Sequence, residues 1–154
     1  MDITLGQQFK KIQQLRKEQA VSEQAAKDAA ILKKELNEKE IINTFFELIE
    51  EYLTVCASNG LLPSAVSLRK REYLRKREYV KHQEDVNQYF VVNQEVIGEL
   101  FTSYPHPYIK KHSHMYANFV AFEKKMEAQG VKIIVEMNHD GMGRESWVVI
   151  KFGF

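Results

Sequence analysis

The amino-acid sequence predicts an α+β fold: an N-terminal helical arm, compatible with a coiled coil, then a small domain with a three-stranded, mainly antiparallel sheet backed by helices. Three observations carry this reading. A helix-start signature at Thr4-Leu5-Gly6-Gln7 leads into an alanine-rich, heptad-like stretch. A wide apolar face recurs at helical spacing between Ile41 and Val55. Two strand-like runs, 131–137 and 146–152, flank a segment rich in Asn, Asp and Gly. The arm is assigned to residues 1–37 and the α+β domain to 38–154, which includes a core helix over 38–58 and a basic segment over 64–82.

In the arm, the Thr4 hydroxyl and the Gln7 amide are spaced to cap each other's backbone. Leu5, Phe9 and Ile12 step by four and three, and the apolar register resumes one position off at Ala25, Ala29, Leu32 and Leu36. Alanine gives the middle high helix propensity but little surface to bury, so the helix is expected to lean on a partner. The arm interface is therefore placed at Leu5, Phe9, Ile12, Ala25, Ala29, Leu32 and Leu36.

Asn37-Glu38-Lys39-Glu40 reads as either a second cap or a polar turn of one long helix. The following helix sets Ile41, Ile42, Phe45, Phe46, Leu48, Ile49, Tyr52, Leu53 and Val55 against Glu47, Glu50 and Glu51, and Asn59-Gly60 supplies its terminator. Ser64 is positioned to cap whatever follows the Leu61-Leu62-Pro63 connector.

The next segment holds a tandem hexapeptide, Arg69-Lys70-Arg71-Glu72-Tyr73-Leu74 and Arg75-Lys76-Arg77-Glu78-Tyr79-Val80. From Asn59 to His82, seven Lys/Arg against two Glu give a local +5, whereas each flank carries −2. Arg, Lys, Glu and Leu favour helix over strand, so the segment is read as a helix with a thin Val66/Tyr73/Val80 stripe. A strand is the alternative, and it would align Arg69, Arg71, Arg75 and Arg77 with both tyrosines. Beyond it, Tyr89-Phe90-Val91-Val92 is dense in β-formers and reads as a buried strand. Asn93 is expected to cap a short helix through Tyr104, ended by Pro105-His106-Pro107. A further helix is expected from Ser113 to Gln129, with Met115, Phe119, Phe122 and Met126 inward and Gly130 as stop.

With 154 residues, nine Phe and seven Tyr, the chain has bulk for a core. The single cysteine, Cys56, precludes an internal disulfide and reads as a small buried hydrophobe. No apolar run reaches membrane-spanning length, and Met1 to Gln7 lacks the pattern of a signal peptide. The expected location is cytoplasmic, in the host cytoplasm if the protein is viral.

The candidate binding residues are Arg69, Lys70, Arg71, Tyr73, Arg75, Lys76, Arg77, Tyr79 and Lys81. Arginine pairs bidentately with phosphate or carboxylate, lysine supplies a point charge, and tyrosine offers a stacking face. A helix spreads these cations around its axis, which disfavours sequence readout and leaves backbone phosphates or an acidic protein as targets. His106, His112, His114 and His139 lack the helical or Cys/His spacing of metal sites, and no carboxylate lies between Ser103 and Asn118. No metal, cofactor, membrane or small-molecule substrate is therefore expected. No catalytic residues are assigned either, although loop 138–145, with His139, Asp140 and Arg144, is a distant third candidate for a hydrolase or metal site.

The preferred reading is a non-enzymatic interaction or assembly protein. It binds a protein partner, or itself in a homo-oligomer, through the arm and a basic segment. The alternative is a small DNA- or RNA-binding protein that contacts backbone phosphates through residues 69–81.

Overall fold

The computed structural model describes residues 3–69, 81–102, 108–139, 141–142 and 145–154. Along the chain run α1 (Leu5–Ser58), β1 (Val66–Leu68), α2 (Lys81–Val92), α3 (Gln94–Leu100), β2 (Phe101–Thr102), β3 (Tyr108–Ile109), α4 (Tyr116–Ala128), β4 (Lys132–His139) and β5 (Ser146–Gly153). Two compact units divide the chain, Met1–Asn37 and Glu38–Phe154, and the division falls inside α1. Helix and a three-stranded antiparallel sheet are both present, so the fold is α+β. Among the described residues, no helix is long and apolar enough to cross a membrane.

The first unit begins with the cap its sequence specifies. The Thr4 N–H donates to Gln7 Oε1 at 3.1 Å, and the Gln7 N–H donates to Thr4 Oγ1 at 3.3 Å. Hydrogen bonds at four-residue spacing, Gln14 to Glu18 and Gln24 to Asp28, add side-chain support along the helix. No second cap interrupts it at Asn37, so the polar tetrapeptide is one turn of a continuous α1.

In the second unit, the core-facing stripe of α1 is Glu38, Ile42, Phe45, Ile49, Tyr52 and Cys56, stepping by four and three, all buried. Phe46 flanks it and stacks on Phe122 of α4, centroids 4.5 Å apart and rings inclined 5°. Phe101 meets Phe119 edge to face at 5.9 Å. α1 ends in a Schellman arrangement. Gly60 takes φ +67°, the Leu61 N–H donates to the Cys56 carbonyl at 2.9 Å, and the Gly60 N–H donates to the Ala57 carbonyl at 3.2 Å. α4 ends the same way, with Gly130 at φ +79° and the Val131 N–H on the Met126 carbonyl.

The sheet order is β1-β5-β4, antiparallel throughout, and a separate two-stranded ribbon joins β2 and β3. Val66 faces Ile150, and Ile133 faces Phe152. On β5, Val148 and Ile150 enter the core, whereas Trp147 and Val149 are buried on the opposite face.

Four expectations are corrected. Residues 89–92 lie in helix α2, because the buried positions Gln83, Val86, Asn87 and Phe90 recur at helical spacing and Val92 is 81% exposed. Residues 66–68 form strand β1, not helix, since pairing with β5 buries Val66 and Leu68 on one side. The rest of the basic segment, 70–80, lies outside the described residues. The helix after Asn93 stops at Leu100, where Phe101 turns extended (φ −108°, ψ 132°) to enter β2, and the Asn93 side chain donates to the Tyr89 carbonyl instead of capping. Ser64 caps no helix; its backbone N–H donates to the Tyr52 hydroxyl at 2.7 Å.

Candidate functional site

Glu38 sits where the periodicity of α1 places an inward residue, one turn before Ile42, and is 4% exposed. Burying a carboxylate is expensive without a compensating charge, so its neighbours matter. His114 Nε2 stands 2.9 Å from Glu38 Oε2. Among the described residues that nitrogen makes no aligned hydrogen bond, so the two atoms lie close with the oxygen off the N–H direction. Glu99, in the last turn of α3, completes a group in which one ligand atom from each residue lies within 4.8 Å of the others.

Backbone geometry brings the three together. The Lys110 N–H donates to the Leu100 carbonyl at 2.8 Å, setting the turn after β3 beside the end of α3. The Ser113 N–H returns to the Lys110 carbonyl, and the Ser113 hydroxyl accepts from the Met115 N–H at 3.1 Å. Met115, fully buried, anchors the far side of that turn. His114 is thereby held between buried Glu38 and exposed Glu99. A cavity of about 640 Å³ opens beside the group, lined by Glu99, Ile109, Lys110, His112, Ser113 and His114.

A second polar node is structural. The buried Tyr52 hydroxyl accepts from Ser64 N–H and lies 3.2 Å from the Ser64 carbonyl and 3.4 Å from Gln83 Oε1. Gln83 in turn donates to the Ala65 carbonyl at 3.1 Å. The connector 61–65 is thus pinned to α1 and α2. Burial pushes the Tyr52 hydroxyl up to about pKa 12.

Of the basic segment, Lys70, Arg71, Tyr73, Arg75, Lys76, Arg77 and Tyr79 lie outside the described residues, and Lys81 begins α2. Arg69 is engaged within the fold. Its guanidinium lies 3.7 Å from the centre of the Trp147 ring and contacts Glu145 at 3.2 Å. In the hairpin loop, Asp140 and Arg144 also lie outside the described residues, and His139 Nδ1 is 2.9 Å from Ser146 Oγ. Glu136 pairs with Lys151 at 2.7 Å.

The proposed arm residues Leu5, Phe9, Ile12, Leu32 and Leu36 are between 46% and 69% exposed, and Ala25 and Ala29 are exposed with them. Leu15, Val21 and Ile31, outside the expected interface positions, are exposed as well. Glu38 and Glu99 lie outside the histidine-rich stretch of the sequence, and the one local sign of either is a glutamate at an inward step of the α1 stripe.

No family model, curated protein or solved structure matches this chain.

Proposed function

We propose that this chain is a non-enzymatic interaction protein whose segment 5–36 docks on a helix of another protein chain. One observation carries the reading: eight large apolar side chains between Leu5 and Leu36 are exposed on one helix. Fully covering such a side chain stabilises an association by roughly 1.5–3 kcal/mol before the costs of binding. The basic segment, 69–81, is read as a second contact, for an acidic surface on the same partner.

The test uses the full chain and two double variants, F9D/I12D and L32D/L36D, by sedimentation velocity and by affinity capture from the native cell with and without nuclease. The expected result is a self-association or a captured protein that resists nuclease and is lost in both variants. A wild-type chain that stays monomeric and captures nothing sensitive to these substitutions refutes the reading. Capture that disappears with nuclease replaces it with nucleic-acid binding through 69–81.

A further inference from the structure

We propose that Glu38, Glu99 and His114 form a binding site for one divalent transition-metal ion, with zinc as the best-suited ion. The donor set is two carboxylates and an imidazole, a combination that zinc, cobalt and manganese accept. Each ligand comes from a different element: α1, α3 and the turn that leads into α4. The three donor atoms already fall within 4.8 Å of one another. Zinc bonds of roughly 2.1 Å in a tetrahedron set ligand atoms about 3.4 Å apart, so closure needs movement of about an ångström. Glu99, at the end of α3, is the most exposed of the three ligands.

Two further features separate this group from an ordinary ion pair. His114 Nε2 is fully buried and close to Glu38 Oε2, yet its N–H direction misses that oxygen. Their 2.9 Å approach is about half an ångström shorter than the spacing of two ligands on one zinc ion, so metal binding parts the pair slightly. The cavity lined by Glu99 and His114 also provides an entry path, and with three protein ligands it leaves a coordination position for water or a partner's side chain. The ion would join three elements that backbone hydrogen bonds already bring together, so its binding stabilises the folded state.

The probe is cobalt(II), whose visible absorption reports coordination, followed by zinc in a competition titration and a thermal melt. The wild-type chain is expected to bind one equivalent and to melt at a higher temperature with zinc. H114A and E99Q should each weaken binding by about 100-fold or more, whereas H112A, which alters a neighbouring cavity residue, should leave it unchanged. E99Q changes an exposed side chain and decides the matter if H114A fails to fold. The proposal is overturned if the wild type shows no saturable one-equivalent binding. It is equally overturned if E99Q binds as tightly as wild type, or if H112A loses binding that H114A and E99Q retain.

Discussion

Replacing Tyr52 with phenylalanine removes one oxygen from the interior, and its hydrogen bond and burial set the direction and pH dependence of the effect. Tyr52 is 1% exposed, and its hydroxyl is the acceptor for the Ser64 N–H at 2.7 Å. Without it that donor loses its partner, at a cost of about 1–3 kcal/mol near neutral pH. The hydroxyl also titrates high, pushed from 10.0 to about 12 chiefly by burial. A folded pKa above the unfolded one means the hydroxyl's contribution is complete below pH 10 and is lost as pH rises through 12. A shift of about two pKa units corresponds to roughly 3 kcal/mol, which wild type forfeits as pH rises through and beyond that window and Y52F does not. Urea midpoints at pH 8, 10, 11 and 12 should therefore show Y52F less stable at pH 8, with the gap closing as pH climbs. Titration of other tyrosines and of lysines occurs in both proteins and cancels. Equal stability at pH 8, or a gap that stays constant from pH 10 to 12, would refute this account of Tyr52.

Two further perturbations test local features. R69A removes the cation over Trp147 and the partly exposed pair with Glu145, for a combined loss of about 1 kcal/mol. Because Trp147 is the only tryptophan in the sequence, its fluorescence should shift to the red; unchanged emission would place the guanidinium elsewhere. The glycines Gly130 and Gly98 should respond with opposite signs to alanine, although a Cβ at either meets no atom within 4 Å. G130A forces alanine to φ +79° and should destabilise by about 1 kcal/mol, whereas G98A, inside α3, should stabilise by about 0.5–1 kcal/mol in a thermal melt.

Local chemistry made parts of this fold legible. The Thr4/Gln7 cap, the glycine stops at 60 and 130, the inward face of α1 and the β4/β5 hairpin all follow from residues within a few positions of each other. The errors share a different cause. α2 buries Gln83 and Asn87 beside Val86 and Phe90, so half of its inward stripe is polar and hydrophobic periodicity cannot detect it. β1 is three residues long and is a strand because β5 pairs with it, a tertiary cause without a local signal. The candidate metal ligands are equally non-local. Glu38 and His114 meet only because α1 packs beside the turn before α4, and no spacing rule links residues that far apart.

The sheet order also sets a timetable. β5 lies in the middle of β1-β5-β4, yet Val66 waits for a partner about eighty residues downstream, Ile150. Closing so long a loop is entropically costly and slow, whereas the helices between can form and collapse on α1 as soon as they are made. During synthesis, β1 and β4 therefore stand with open edges until Ser146 and the residues after it arrive. The strand that holds the sheet together is the last of the three to be made, so the sheet cannot close until the chain through β5 is present.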